Sequence, residues 1–228
     1  MNKIVGRVGA VLLGRAVPYT RGVLSAIAKQ AQSGAVQVGP LGLVGDEQGD
    51  TKFHGGPDKA VHLYASAHYP DWRAELGDLP VLASVGAFGE NLAVDGVSEE
   101  TVCIGDQWRI GSVVLEVSQG RQPCWKLNDR FGVPDMARRL QDTLRTGWYC
   151  RVLEAGELAA GDDAILLARP CPDWSIARMM EVLYRPCLEA EPLNALLALP
   201  LVPGWRSLIE RRLASGQIED WEKRLNGP

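Results

Sequence analysis

Apolar and polar positions alternate in short runs along the first 170 residues, with glycines breaking the runs. A period of two predicts half-buried strands. Residues 4–13, 35–38 and 41–44 make a first group, and Val36 and Val38 flank Gln37 in the expected way. Residues 45–60, GDEQGDTKFHGGPDKA, carry too much glycine and charge for a core element and predict a long polar loop. A short element at 61–64 follows. The spacing over 66–76 then predicts a helix, with Pro70 in a first turn that tolerates it. Strands are expected at 87–94, 101–104, 107–110 and 113–117, the last three separated by the turn dipeptides Gly105-Asp106 and Gly111-Ser112. Residues 118–132 read as a second polar loop, 134–144 as a helix on Met136, Ala137 and Leu140, and 148–153 and 164–167 as further strands.

After Arg169 the pattern changes. Pro170 and Pro172 mark a linker, and Ser175 can cap a helix whose stripe is Ile176, Met179, Met180 and Leu183. Two more short helices are expected at 193–199 and 204–214, with Gly216 as a stop. The reading is a mainly β domain over 1–170 and a three-helix appendage over 171–228. A helix set this small often needs a partner to bury its stripe, so a homodimer is one expectation.

Composition narrows the classes. The chain has 228 residues, 46% hydrophobic and 23% charged, which suits one large domain or a domain with a small addition. A net charge of −4 argues against a general nucleic-acid binder. No apolar run is long enough for a membrane span, and the first 14 residues read as a strand and not as a signal peptide. Five cysteines, an odd number without zinc or iron–sulfur spacing, argue against disulfide stapling and for a cytoplasmic home.

One cysteine has an unusual setting. Cys124 lies in Arg121-Gln122-Pro123-Cys124-Trp125-Lys126, a polar loop directly after a strand. A thiol acts as nucleophile or metal ligand in its thiolate form, which flanking cations favour. Residues 121–151 hold seven Lys/Arg against three Asp/Glu, a candidate anion site. The plain alternative is a small buried hydrophobe beside a solvated basic face; that explanation suits Cys103 and Cys150 within apolar runs. Cys171 and Cys187 receive no role.

Asp46, Asp50, His54, Asp58 and His62 fall within 17 residues, with His68 close behind. They fit a metal site, a loop that orients a ligand with Lys59 supplying charge, or a satisfied surface loop. The tight His pair of a zinc hydrolase is missing. Gly86-Ala87-Phe88-Gly89-Glu90-Asn91 is a third short motif, whose glycines permit close backbone approach.

Taken together, GDEQGDTKFHGGPDKAVHLY (45–64), GAFGENL (86–92), CIGDQWRIGSVVLEVSQGRQPCWKL (103–127) and RTGWYCRVLEAGELAAGD (145–162) resemble the MOSC family, the domain type found at the C-terminus of molybdenum cofactor sulfurases. The likeness is to the YiiM-type branch, which carries a small three-helix C-terminal domain. The resemblance implies a barrel-like β fold and the molybdopterin form of molybdenum cofactor. It implies reduction of N-hydroxylated bases such as 6-hydroxylaminopurine, with Cys124 as the thiolate ligand of molybdenum. A soft thiolate suits that metal. From residue type and motif position, Lys29, Lys59, Arg121 and Arg151 are candidate anion contacts, and Gly55-Gly56 could add backbone amides. His54 and Asn91 are candidates for hydrogen bonding to pterin or substrate. Two departures stand out: Gly120, where the branch usually has proline, which could loosen the cysteine loop, and Gln30-Ala31, where a Pro-Val pair is common.

The chemistry so implied is conversion of R–NH–OH to R–NH2 and water, with electrons from an external protein or small reductant. The sequence shows no dinucleotide-binding GxGxxG and no iron–sulfur spacing. The rival is a sulfur carrier with a Cys124 persulfide, or a carrier of the cofactor without turnover. A weaker rival is a metal hydrolase on His54, His62 and His68.

Overall fold

The computed structural model describes residues 3–50 and 55–227. Seven strands close into a barrel. Around the ring they run Lys3–Leu13, Leu92–Asp95, Val61–Ala65, Trp148–Glu154, Val113–Gly120, Gln107–Ile110 and Asp163–Ala168, which pairs back onto the first. Neighbours are antiparallel except for Val61–Ala65 beside Leu92–Asp95. A parallel pair needs a crossover, and helix α1, His68–Leu76, lies within it. Gln30–Ala31 adds a short eighth strand at the end of the first.

Val61–Ala65 is buried along its whole length, on both faces. Val61, Leu63 and Ala65 join the main core, while Tyr64 points the other way, into a second cluster with Tyr69, Trp72, Phe88, Leu127, Phe131 and Leu140. Alternation along a strand therefore puts His62 on the outer face with Tyr64. Helix α2, Lys126–Phe131, and helix α3, Met136–Thr143, complete that outer layer.

Three expectations need correction. Residues 101–104 form no strand: only an isolated bridge joins Cys103 to Ser175, because Asp106 accepts from the Cys103 amide and turns the chain. The strand expected from 87 begins at Leu92; the preceding residues wrap a buried carboxylate instead. The polar loop expected over 118–132 shrinks to residues 121–125, because the Val113–Gly120 strand runs on into it and α2 follows. Lys126, Leu127, Asn128 and Phe131 give α2 a buried face that its polar composition concealed.

Helices α4 (Ile176–Tyr184), α5 (Ala190–Leu197) and α6 (Pro203–Ser215) are the expected three. Ser175 caps α4 by accepting from the Arg178 amide. Ile176, Met179, Met180 and Leu183 share one continuous core with the barrel, so the chain covers its own stripe. A further short helix, α7 (Glu222–Asn226), is unannounced in the apolar pattern and contacts α3. Among the described residues no helix is long and apolar enough to cross a membrane.

Gly120 proves to be a contact point. A Cβ there would stand 2.3 Å from the Met180 sulfur. Glycine thus lets α4 seat against the strand that leads into the cysteine loop. Gly120→Ala is expected to cost about 1–3 kcal/mol through overpacking. In a double-mutant cycle, calorimetric melts of Gly120→Ala with Met180→Ala should show less loss than the sum of the single changes.

Candidate functional site

A cleft opens on the outer side of the barrel, where residues 25–29, residues 46–49 and 55–60, the GAFGEN turn and the cysteine loop meet. Lys29, Asp46, Gly55, Lys59, His62, Asn91, Arg121, Cys124, Lys126 and Tyr149 are among its lining residues.

Asp46 is the hub of one wall. Its carboxylate accepts from Lys29 Nζ at 2.5 Å, from the Gly14 amide at 2.7 Å and from Asn91 Nδ2 at 2.9 Å. Asn91 Oδ1 in turn accepts from the His62 amide at 3.1 Å, and Nδ2 also reaches Leu12 O. The Asn91 side chain is thus largely committed to tying three segments together. Burial pushes the Lys29 ammonium below its ordinary value, with Asp46 opposing; burial also lowers Lys59, against Asp58.

The GAFGEN turn folds around Glu90, which is 0% exposed. Its carboxylate accepts from the Gly86 amide at 2.7 Å, the Phe88 amide at 3.1 Å and the Tyr69 hydroxyl at 2.5 Å. Gly89 sits at φ +75, and a Cβ there would lie 2.9 Å from Ile27. That backbone needs glycine.

On the opposite wall, the Arg121 amide donates to Gly147 O at 3.0 Å. Its side chain is 5% exposed and Nη1 has no hydrogen-bond partner. His62 Nε2 is likewise buried and without one, beside the Tyr149 ring with centroids 4.9 Å apart. Burial first, then the Arg121 charge, holds the His62 imidazole well below its ordinary value, against the nearby carbonyls of Gly89 and Thr146. His62 is therefore neutral at pH 7. Burial raises the Tyr149 hydroxyl, with Arg121 pulling the other way. Cys124 stands partly exposed between these groups.

The basic stretch does not converge as its sequence clustering suggested. Of its seven cations only Arg121 and Lys126 line this cleft. Arg151 pairs with Asp58 at 2.8 Å and Glu116 at 2.9 Å. Arg145 binds Glu75, Arg139 binds Asp135 and Arg138 binds Glu222. Arg130 donates to the Gly86 and Ala87 carbonyls. Gly55 lines the cleft, whereas Gly56 lies in a neighbouring groove against α6. His54 lies outside the described residues. His68 is held by Glu99 at 2.6 Å, and no three His, Cys, Asp or Glu side chains among the described residues assemble as a metal site. Asp46 as a hub and Tyr149 were missed as lining residues. Asp46 sat in a polar run that does not reveal its partners, and Tyr149 in a strand read for its apolar pattern.

The cleft combines cations and one thiol, a set suited to an anionic, sulfur-rich ligand. The partnerless Arg121 Nη1 marks unused capacity for an acceptor.

Comparison with known proteins agrees with the fold. The MOSC domain matches residues 50–164, and the YiiM-like, 3-alpha helix domain matches residues 174–216. A protein of Gibberella moniliformis called Reductase is 41% identical over 213 residues, 91% of this chain but 38% of that protein. This chain thus spans well under half of that relative. The protein YiiM of Escherichia coli is 37% identical over 218 residues, 95% of this chain and 97% of its own length. The crystal structure of YiiM from Escherichia coli superposes with a TM-score of 0.81 at 30% identity, over 96% of this chain and 98% of that one. That of YiiM from Geobacillus stearothermophilus gives 0.78 at 30% identity, over 91% and 99%. The chain belongs to the MOSC domain family.

Proposed function

We propose that this chain is a molybdenum-cofactor-dependent oxidoreductase that reduces N-hydroxylated compounds such as 6-hydroxylaminopurine to the amines, with Cys124 as molybdenum ligand. The observation that carries this reading is a partly exposed Cys124 sharing a cleft with the buried, partnerless Arg121 Nη1. The relative called Reductase supports redox chemistry.

When bound, the cofactor would supply the two-electron chemistry that, with two protons taken up from solvent, turns R–NH–OH into R–NH2 and water. The chain's own residues bind and orient. Cys124 provides the soft thiolate. Lys29, Lys59, Arg121 and Lys126 would hold the anionic part of the pterin, Gly55 would add a backbone contact, and Asn91 keeps Asp46 and Lys29 in register. Arg151 balances the wall behind, through Asp58. His54 is kept as a candidate substrate contact on motif position. His62 and Tyr149 line the same cleft and would offer uncharged polar groups to the bound ligand. Electrons arrive from an external protein or small reductant.

The test is the molybdenum and pterin content of protein purified from a host that makes the cofactor, with Cys124→Ser alongside. Near-stoichiometric metal in the parent and little in the variant supports the reading, and hydroxylamine-reductase assays follow. No metal in the parent, together with a persulfide on Cys124, would replace it with the sulfur-carrier reading.

A further inference from the structure

We infer that the C-terminal helices clamp the cysteine loop, with Tyr184 and Arg224 as positioning residues that set how Cys124 is presented to the cleft. This deepens the reading of Cys124 as the reacting thiol and rests on it only for the consequence.

A loop that leaves a barrel strand has no ladder to satisfy its backbone, so its polar groups must find other partners. In residues 121–125 the Arg121 amide pairs with Gly147 O and Cys124 O accepts from the Leu127 amide, and three further partners come from the C-terminal helices. The Tyr184 hydroxyl, on α4, donates to Arg121 O at 2.8 Å. Arg224 Nη1, on α7, donates to Pro123 O at 2.6 Å. The Trp125 amide donates back to Arg224 O at 2.8 Å. Two carbonyls before Cys124 and the amide directly after it are thus held.

The clamp is itself braced. Arg224 Nη2 donates to Gln141 Oε1 on α3 at 2.5 Å, and its guanidinium lies 5.6 Å from the centroid of the Tyr184 ring. The buried Asn128 side chain on α2 donates to Leu225 O at 2.8 Å. Burial lowers the Arg224 guanidinium, opposed by Tyr184 and then by Cys124, which places the thiol within electrostatic reach of the clamp. The short helix α7 buries Leu225 and makes three hydrogen bonds with the cysteine loop and the start of α2. Fixing Pro123 O and Arg121 O holds the thiol in one place while leaving it exposed enough to react.

The experiment uses the full chain without cofactor and reads site-resolved iodoacetamide labelling by mass spectrometry at neutral pH. Cys171 and Cys187, both partly exposed, serve as internal references. Tyr184→Phe removes one hydroxyl and keeps the ring; Arg224→Met removes the guanidinium. Each is expected to raise the Cys124 labelling rate through local opening, by about tenfold for the charge-neutral Tyr184→Phe and by less for Arg224→Met, which also removes a cation that favours the thiolate, with Cys171 and Cys187 unchanged. Arg224→Lys, which retains a donor for Pro123 O, should restore most of the parent rate. An unchanged Cys124 rate in both variants would overturn the inference, and so would an equal acceleration of all three cysteines, which marks general loosening. Because no cofactor is present, failure here is separate from failure to find molybdenum in the holoprotein.

Discussion

Arg121→Met should leave the protein as stable as the parent or more so, while lowering its hold on the cofactor by about 10–150-fold, the worth of one hydrogen bond to a charged group. The two effects share a cause. The Arg121 side chain is buried and its Nη1 has no partner. An unsatisfied buried donor costs about 1–3 kcal/mol in the ligand-free fold. Methionine fills similar volume without that cost. For a chain of this size each kcal/mol moves the melting temperature by about 2–4 °C. Scanning calorimetry of the cofactor-free protein and metal analysis of the loaded protein check the two halves. A steep fall in melting temperature would make Arg121 a structural residue. A stable variant with full molybdenum would remove it from the cofactor's binding set.

Arg212→Met is expected to have the opposite profile, a loss of about 3–5 kcal/mol. Arg212 is 1% exposed yet fully engaged: it donates to Glu219 at 2.9 and 2.7 Å, to Val182 O at 3.2 Å and to Leu183 O at 2.6 Å. It thereby ties α6 to the last turn of α4 and to the segment that leads into α7. Methionine would strand two carbonyls. Glu219, held below its ordinary value by its Arg212 and Trp221 hydrogen bonds against the effect of burial, would lose its main partner. Because Glu219 keeps some exposure, water can recover part of the loss, which favours the lower end of the range. The melting temperature is expected to fall by about 6–12 °C at 2–4 °C per kcal/mol. Glu219→Gln should cost less, since it leaves the arginine's carbonyl bonds in place. A drop of under a degree for Arg212→Met would show that the buried network adds nothing net.

The two variants separate a charge kept for a ligand from a charge kept for the fold. Both arginines are buried to a similar degree, and only the fate of their donors distinguishes them. The cysteine loop shows the same dependence on partners. Its Pro123 and Cys124 stood out in the sequence, but its length did not, because the buried face of α2 hides within the polar run Lys126–Phe131.

What the sequence determined by itself is local: the strand alternation, the turn dipeptides between 104 and 113, the Ser175 cap, the α4 stripe, and a thiol set apart in a polar, proline-stiffened loop. These follow from periods of two and 3.6 and from turn chemistry, which act over a few residues. The tertiary structure alone decided where the charges go. It scattered five of the seven cations of 121–151 away from the cleft, made Asp46 and Asn91 the brace of one wall, brought Met180 against Gly120, and carried Arg224 back to Pro123. Apart from the Arg139–Asp135 pair at α3's first turn, these depend on partners tens of residues distant or more. A hydrogen bond or ion pair is chosen by geometry once the barrel has closed, and no periodicity along the chain records that choice.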